Sequence, residues 1–244
     1  MSLPRFFAGA PEPGDTVILD PEDAHHAIRS LRLRVGAELT SSDGRGAVSR
    51  CRVVRAERLL VEAEVLERTE ERPPVPRLTV LFSPPKGDRL AWGVQKLTEV
   101  GADAIVLLEA ARSVRRWRAD RAARAGQRLD AVAREAAKQS RRSFLPRIGS
   151  PEGWEEALAA AARRGPVVVL WERAVDPLSD VLPPERPEEV AVAVGPEGGI
   201  PDGDARSAER AGAALASLGP AVLRAETAAV VGAALILARY GRLG

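Results

Sequence analysis

Two kinds of hydrophobic patterning divide the chain. Up to about residue 72 the apolar positions come in short runs, at 16–19, 38–40, 47–54 and 59–66, rich in Val and Leu. Turns bearing Gly or Asp separate them, as in Ser42-Asp43-Gly44-Arg45-Gly46, so these runs are predicted as strands. One short helix is predicted over 21–31, with Asp20 as N-cap and Pro21 at the first helical position. Together they predict a small β-barrel.

The stretch Glu71-Arg72-Pro73-Pro74-Val75-Pro76 has three prolines in four residues, a stiff extended connector. Beyond it the pattern alternates strand and helix. Strands are predicted at 78–82, 104–108, 167–170, 190–194 and 214–218. Helices are predicted at 88–100, 119 to about 142, 154–164, 202–211 and 225–240. The strands are apolar without alternation, which indicates a parallel sheet covered on both faces. The predicted organisation is a barrel over 1–72, a linker over 73–77, and an α/β domain over 78–244.

A length of 244 residues suits two domains with full cores, and 45% hydrophobic with 29% charged residues is ordinary globular composition. No apolar run approaches the ~20 residues of a membrane span. Residues 1–10 lack the apolar core of a signal peptide, so a cytoplasmic location is expected. A single cysteine, Cys51, excludes an internal disulfide, and the two histidines are adjacent at 25 and 26, so no metal site is expected.

Charge is informative through its distribution. The net charge is +2, yet residues 112–147 carry 12 basic and 3 acidic side chains. Such a stripe is either a solvated helix face or the footprint of a nucleic-acid partner.

Candidate chemistry concentrates in the last third. Val194-Gly195-Pro196-Glu197-Gly198-Gly199-Ile200 and Ser217-Leu218-Gly219-Pro220-Ala221-Val222-Leu223-Arg224-Ala225-Glu226-Thr227-Ala228 each follow an apolar run and open a helix. Glycine turns of this kind present bare backbone N–H and C=O groups to a small polar ligand. Neither turn is G-x-G-x-x-G, and no Gly-Lys-Ser/Thr follows, so dinucleotide and P-loop binding are excluded. Pro196-Glu197 would repel phosphates and tolerate an adenosine ligand carrying ammonium or sulfonium charge. No G-x-S-x-G occurs, which argues against triad hydrolysis.

These segments resemble the C-terminal signature of the RsmE-type ribosomal RNA methyltransferases. The resemblance extends to Lys86-Gly87-Asp88, to Gln95-Lys96-Leu97-Thr98-Glu99-Val100-Gly101 and to Glu135-Ala136-Ala137-Lys138-Gln139-Ser140-Arg141-Arg142. Arg5-Phe6-Phe7 and His25-His26-Ala27-Ile28-Arg29-Ser30-Leu31-Arg32 fit as well, with Ile28 and Ser30 as departures. The resemblance implies a SPOUT-type α/β domain with a C-terminal trefoil knot, behind a PUA-like barrel. It implies a homodimer that methylates N3 of a uridine in 16S rRNA, within the small ribosomal subunit, using S-adenosylmethionine.

On this chain the cofactor loops would be Leu170-Trp171-Glu172, then Gly195 to Ile200 with Glu197, Gly198 and Gly199, then Leu218 to Thr227. Adenine would lie on the backbone of Leu218, Gly219 and Leu223. Arg224 is the candidate cation for the charge that develops on the uracil carbonyls. Glu226 is either the base or the residue that orients Arg224, and Thr227 is a cofactor contact or a helix-start hydroxyl. RNA contacts are expected from Arg5, Arg32 and Arg34 and from Arg112, Arg115, Arg116, Arg118, Lys138, Arg141 and Arg142. His25 and His26 either touch RNA or are helix-surface imidazoles. The rivals are another SPOUT enzyme acting on tRNA or a ribose hydroxyl, and a non-catalytic ribosome-assembly protein.

Overall fold

The computed structural model describes residues 3–85, 88–109 and 119–243. In chain order its elements are β1 (Arg5–Phe6), β2 (Thr16–Ile18), α1 (Pro21–Arg29), β3 (Glu38–Ser42), β4 (Ala47–Glu57) and β5 (Leu60–Glu70). There follow β6 (Arg77–Phe82), α2 (Arg89–Val100), β7 (Ala104–Glu109), α3 (Ala119–Gln139), β8 (Arg147–Gly153) and α4 (Trp154–Ala162). The last are β9 (Val167–Leu170), α5 (Leu178–Val181), β10 (Glu189–Val194), α6 (Asp202–Arg210), β11 (Ala214–Ala216) and α7 (Ala225–Arg239).

These form two compact units, one of Met1–Pro73 with Ala137–Leu145, the other of Pro74–Ala136 with Pro146–Gly244. The first holds a five-stranded sheet in the order β1-β3-β4-β5-β2. Its strands pair antiparallel except β1, which runs parallel to β3. Phe6, Val17, Leu39, Val53, Val61 and Val65 fill its core with Ala24 and Ala27 of α1. The α1 helix starts as its sequence dictates, Asp20 Oδ1 accepting from Asp23 N at 2.8 Å.

Residues 137–145 depart from the expected unbroken second domain. The α3 helix ends at Gln139, short of 142, in a Schellman turn: Arg142 N donates to Ala137 O and Arg141 N to Lys138 O. Arg141 occupies the left-handed position at φ +57°. The chain then joins the first unit: Gly46 N donates to Ser143 O at 3.2 Å and Leu145 N to Gly44 O at 2.9 Å. Hydrogen bonds to residues about a hundred positions earlier leave no trace in local periodicity.

The second unit is a six-stranded sheet in the order β11-β9-β10-β6-β7-β8, every recorded pairing parallel. Alternate residues of the same strand feed two cores. Leu78, Val80, Phe82, Val190, Val192, Val194, Val168 and Leu170 face one, which they share with α2 and α7. Leu81, Ala191, Ala193, Val167 and Val169 face the other, shared with α4 and α6. Two-sided burial explains the unbroken apolar runs.

Three elements have no counterpart in the sequence-based expectation. β1 is two residues long, and α5 is a single turn following Pro177. β8 reads Arg-Ile-Gly-Ser-Pro-Glu-Gly and lies at the sheet edge beside β7, where a polar, proline-bearing strand is tolerated. Among the described residues no helix is long and apolar enough to cross a membrane.

Candidate functional site

The second unit contains a cavity of about 540 Å³. It lies where β9, β10 and β11 end, the carboxyl edge at which open parallel sheets bind ligands. β9 runs into Leu170-Trp171-Glu172, β10 into 195–200, and β11 into 217–224, and all three stretches contribute to the wall.

Local hydrogen bonds hold these loops. Trp171 N donates to Ala216 O at 2.9 Å, and its indole Nε1 donates to Ile200 O at 3.0 Å. Ser217 N donates to Asp176 O at 2.8 Å, and Gly219 N to Ser217 Oγ at 3.1 Å. Two glycines are required by geometry. A Cβ on Gly195 would meet Ile200 Cγ1 at 2.3 Å, and Gly199 has φ +74° at the turn closed by its N–H to Pro196 O.

The wall is mixed in character. Leu170, Val194, Leu218, Leu223, Ala225 and Ala228 give it apolar surface; Glu172, Glu197, Arg89 and Arg224 give it charge. Arg89 Nη1 donates to Glu197 Oε1 at 2.9 Å, and its Nε lies 3.7 Å from Glu226 Oε1. Arg224 is exposed at the N-cap of α7 and makes no ion pair among the described residues. Glu172 likewise pairs with no cation there.

Most of the expected cofactor-loop residues come together here: Leu170, Trp171, Glu172, Gly195, Glu197, Gly198, Gly199, Ile200, Leu218, Gly219, Leu223 and Arg224 all line the cavity. Two expected site residues do not. Thr227 is half-buried on α7 outside the wall. Glu226 is 6% exposed, also outside the wall, and it faces Arg89 rather than Arg224. Its place in the first helical turn points its carboxylate toward Arg89 of α2, so it stands outside the cavity wall and makes no contact with Arg224 among the described residues. Arg89 was not singled out from sequence, although the motif Lys86-Gly87-Asp88 stops one residue short of it. The available signal was a cation at the first position of a helix, where the dipole disfavours it.

The expected RNA contacts divide likewise. Arg32 and Arg34 are exposed, as are His25 and His26 on α1. Arg5 is committed internally, its Nη1 donating to Arg141 O at 2.6 Å and to Ser143 Oγ at 2.7 Å. Burial lowers its pKa from the ordinary arginine value. Lys138 is 12% exposed and ion-paired to the buried Asp23 within the first unit. Arg5, half-buried, and Lys138, nearly buried, thus both spend donors inside the first unit. Arg141 is exposed in its left-handed turn and Arg142 is half-buried. Arg112, Arg115, Arg116 and Arg118 lie outside the described residues, as do Lys86 and Gly87. Among the described residues no cluster of three or more His, Cys, Asp or Glu is placed to hold a metal ion.

A parallel α/β sheet with a glycine-lined cavity at its carboxyl edge, beside a separate β unit, defines a class of enzyme that binds a small nucleoside-type cofactor. The chain belongs to the RNA methyltransferase family. Its residues 71–237 match the model of the RNA methyltransferase domain, and residues 19–66 match that of the RNA methyltransferase PUA domain. It is 36% identical to the ribosomal RNA small subunit methyltransferase E of Mycobacterium bovis over 91% of this chain and 86% of that one. The Bacillus subtilis protein of the same name is 28% identical over 89% of this chain and 88% of that one. Among solved structures, the Neisseria gonorrhoeae ribosomal RNA small subunit methyltransferase E bound to S-adenosyl methionine superposes with a TM-score of 0.86 at 28% identity, covering 97% of this chain and 98% of that one.

Proposed function

We propose that this protein methylates N3 of a uridine in 16S rRNA, with S-adenosylmethionine as donor, acting on the small ribosomal subunit as a cytoplasmic homodimer. The observation that carries the reading is the convergence of the three loops around one cavity. The named relatives and the family's pairing of a methyltransferase domain with a PUA domain support it. In the same reading, the C-terminal part of the chain that carries these loops is threaded as a trefoil knot.

The residues present fit that cofactor. The volume lies within the ~300–1,000 Å³ usual for small-molecule sites. Apolar walls at Leu218, Leu223 and Ala225 suit an adenine ring, and Glu172 and Glu197 suit ammonium and sulfonium charge. When bound, the cofactor supplies an electrophilic methyl group.

The chain's own residues do the rest. Uridine N3 is a poor nucleophile until its imide proton passes to water, and the resulting charge spreads onto the flanking carbonyls. Arg224 is exposed and has no carboxylate partner among the described residues, which leaves its guanidinium available for that purpose. The loops fix the approach of donor and base, which can contribute several kcal/mol. Exposed Arg32 and Arg34 supply phosphate contacts, and the target base is splayed out of its stack.

The test is methylation of 30S subunits and of free 16S rRNA in vitro, followed by nucleoside mass spectrometry. N3-methyluridine on the subunit supports the proposal. Methyl on ribose or on tRNA would redirect it to another substrate, and absence of cofactor binding by calorimetry would reduce the protein to an RNA-binding role.

A further inference from the structure

We infer that Arg89 is a positioning residue of this site, clamping the loop 195–200 to the first turn of α7 so that Arg224 is presented to the cavity. The inference rests on the methyl-transfer reading above. Arg89 joins three elements through one guanidinium. It begins α2, its Nη1 donates to Glu197 Oε1 in the loop at 2.9 Å, and its Nε lies 3.7 Å from Glu226 Oε1 on α7. A planar guanidinium with donors on different edges can face two carboxylates at once; an ammonium on a flexible stem cannot hold both in fixed geometry.

Three further observations set Arg89 apart from an ordinary surface ion pair. First, a cation at the first position of α2 opposes the helix dipole; no acidic residue stands in that turn, and Asp88 makes no capping bond. Local rules broken at one place are expected where function decides the residue. Second, the Glu226 carboxylate is 8% exposed and its Oε2 has no hydrogen-bond partner among the described residues, where Arg89 is the cation that faces this buried charge. Third, Arg89 itself lines the cavity.

The division of labour with Arg224 follows from charge. Two carboxylates neutralise Arg89, which makes it a poor stabiliser of a developing oxyanion and a good brace. Arg224 follows one side of the brace, two residues before Glu226.

The experiment uses full-length protein and four variants: Arg89→Ala, Arg89→Lys, Glu226→Gln, and Arg89→Ala with Glu226→Gln. Turnover, KM for RNA, cofactor affinity by calorimetry and thermal unfolding are read for each. Displacing a positioned group by about 1 Å can cost about a hundredfold in rate, so Arg89→Ala is expected to lower kcat by about that factor, with KM for RNA changed less than threefold. Arg89→Lys should recover part of that loss. The double variant removes the uncompensated carboxylate, so its melting temperature should return toward wild type while kcat stays low. Recovery of kcat together with stability in the double variant would show the pair to be merely structural and overturn the inference. Wild-type kcat in Arg89→Ala would overturn it as well. Wild-type protein that neither binds cofactor nor methylates RNA would instead sink the underlying reading.

Discussion

The indole of Trp171 donates its Nε1–H to the carbonyl oxygen of Ile200 at 3.0 Å, joining the loop after β9 to the loop after β10. Arg173 stacks over the same ring at 4.6 Å, so Trp171 is held from one face and by its edge. Trp171→Phe keeps an aromatic ring, smaller than the indole, and removes the hydrogen bond, worth about 1 kcal/mol net. Affinity for S-adenosylmethionine should fall about fivefold by calorimetry, with little change in melting temperature. An unchanged affinity would detach this tie from cofactor binding.

Gly195 tolerates no side chain. Its added Cβ would overlap Ile200 Cγ1 at 2.3 Å, forcing the loop open or Ile200 out of its core. Overpacking of this kind costs about 1–3 kcal/mol. Gly195→Ala should stay folded in circular dichroism and lose measurable cofactor binding; normal binding would mean the loop is not part of the site.

Arg224 should matter to rate rather than to binding. Removing a single stabiliser of a developing oxyanion costs about 10²–10³ in kcat. Arg224→Ala is expected to lose turnover in that range while cofactor affinity stays within about threefold. Equal losses in both would make Arg224 a binding residue.

Lys138 should matter to stability rather than to RNA. Its ion pair with Asp23 is buried on both sides, 12% and 6% exposed. Breaking one partner leaves a buried charge, so Lys138→Met should destabilise by about 3–5 kcal/mol in denaturant unfolding. Pairing it with Asp23→Leu should restore most of that loss. RNA affinity at fixed salt should be the same for the double variant and wild type.

Cys51 is fully buried between strands, and burial raises its thiol pKa from 9.0 to about 11. The neutral thiol is the form the fold favours. Its contribution to stability is therefore complete below pH 9 and lost as pH rises through about 11. Alkylation at pH 8 should be slow in native protein and fast in denaturant; fast native labelling would show the first unit opening.

Element types were legible wherever the signal was local. The runs at 78–82 and 190–194 are apolar because both faces of β6 and β10 are covered. Gly101 closes α2 in the left-handed conformation that a terminal glycine announces. The glycine turns after β10 and β11 were equally plain, and twelve of the cofactor-loop residues line the cavity. What escaped was non-local. Arg89 meets a carboxylate 108 residues away, and Arg5 bonds to a carbonyl 136 residues away. Nothing in either neighbourhood announces such a partner, so the internal bonds of Lys138 and Arg5 are invisible in the sequence.

The amino-acid sequence alone determined the alternation of strands and helices, the turns that carry glycine, and the chemical character of the ligand those turns would accept. Those depend on backbone sterics and on side-chain period over a few adjacent residues. Tertiary structure decided the convergence of three loops on one cavity, the attachment of residues 137–145 to the first unit, and the assignment of each charge to a partner or to solvent. The three loops share one cavity because β11, β9 and β10 are neighbours in the order β11-β9-β10-β6-β7-β8, an order that no local stretch encodes.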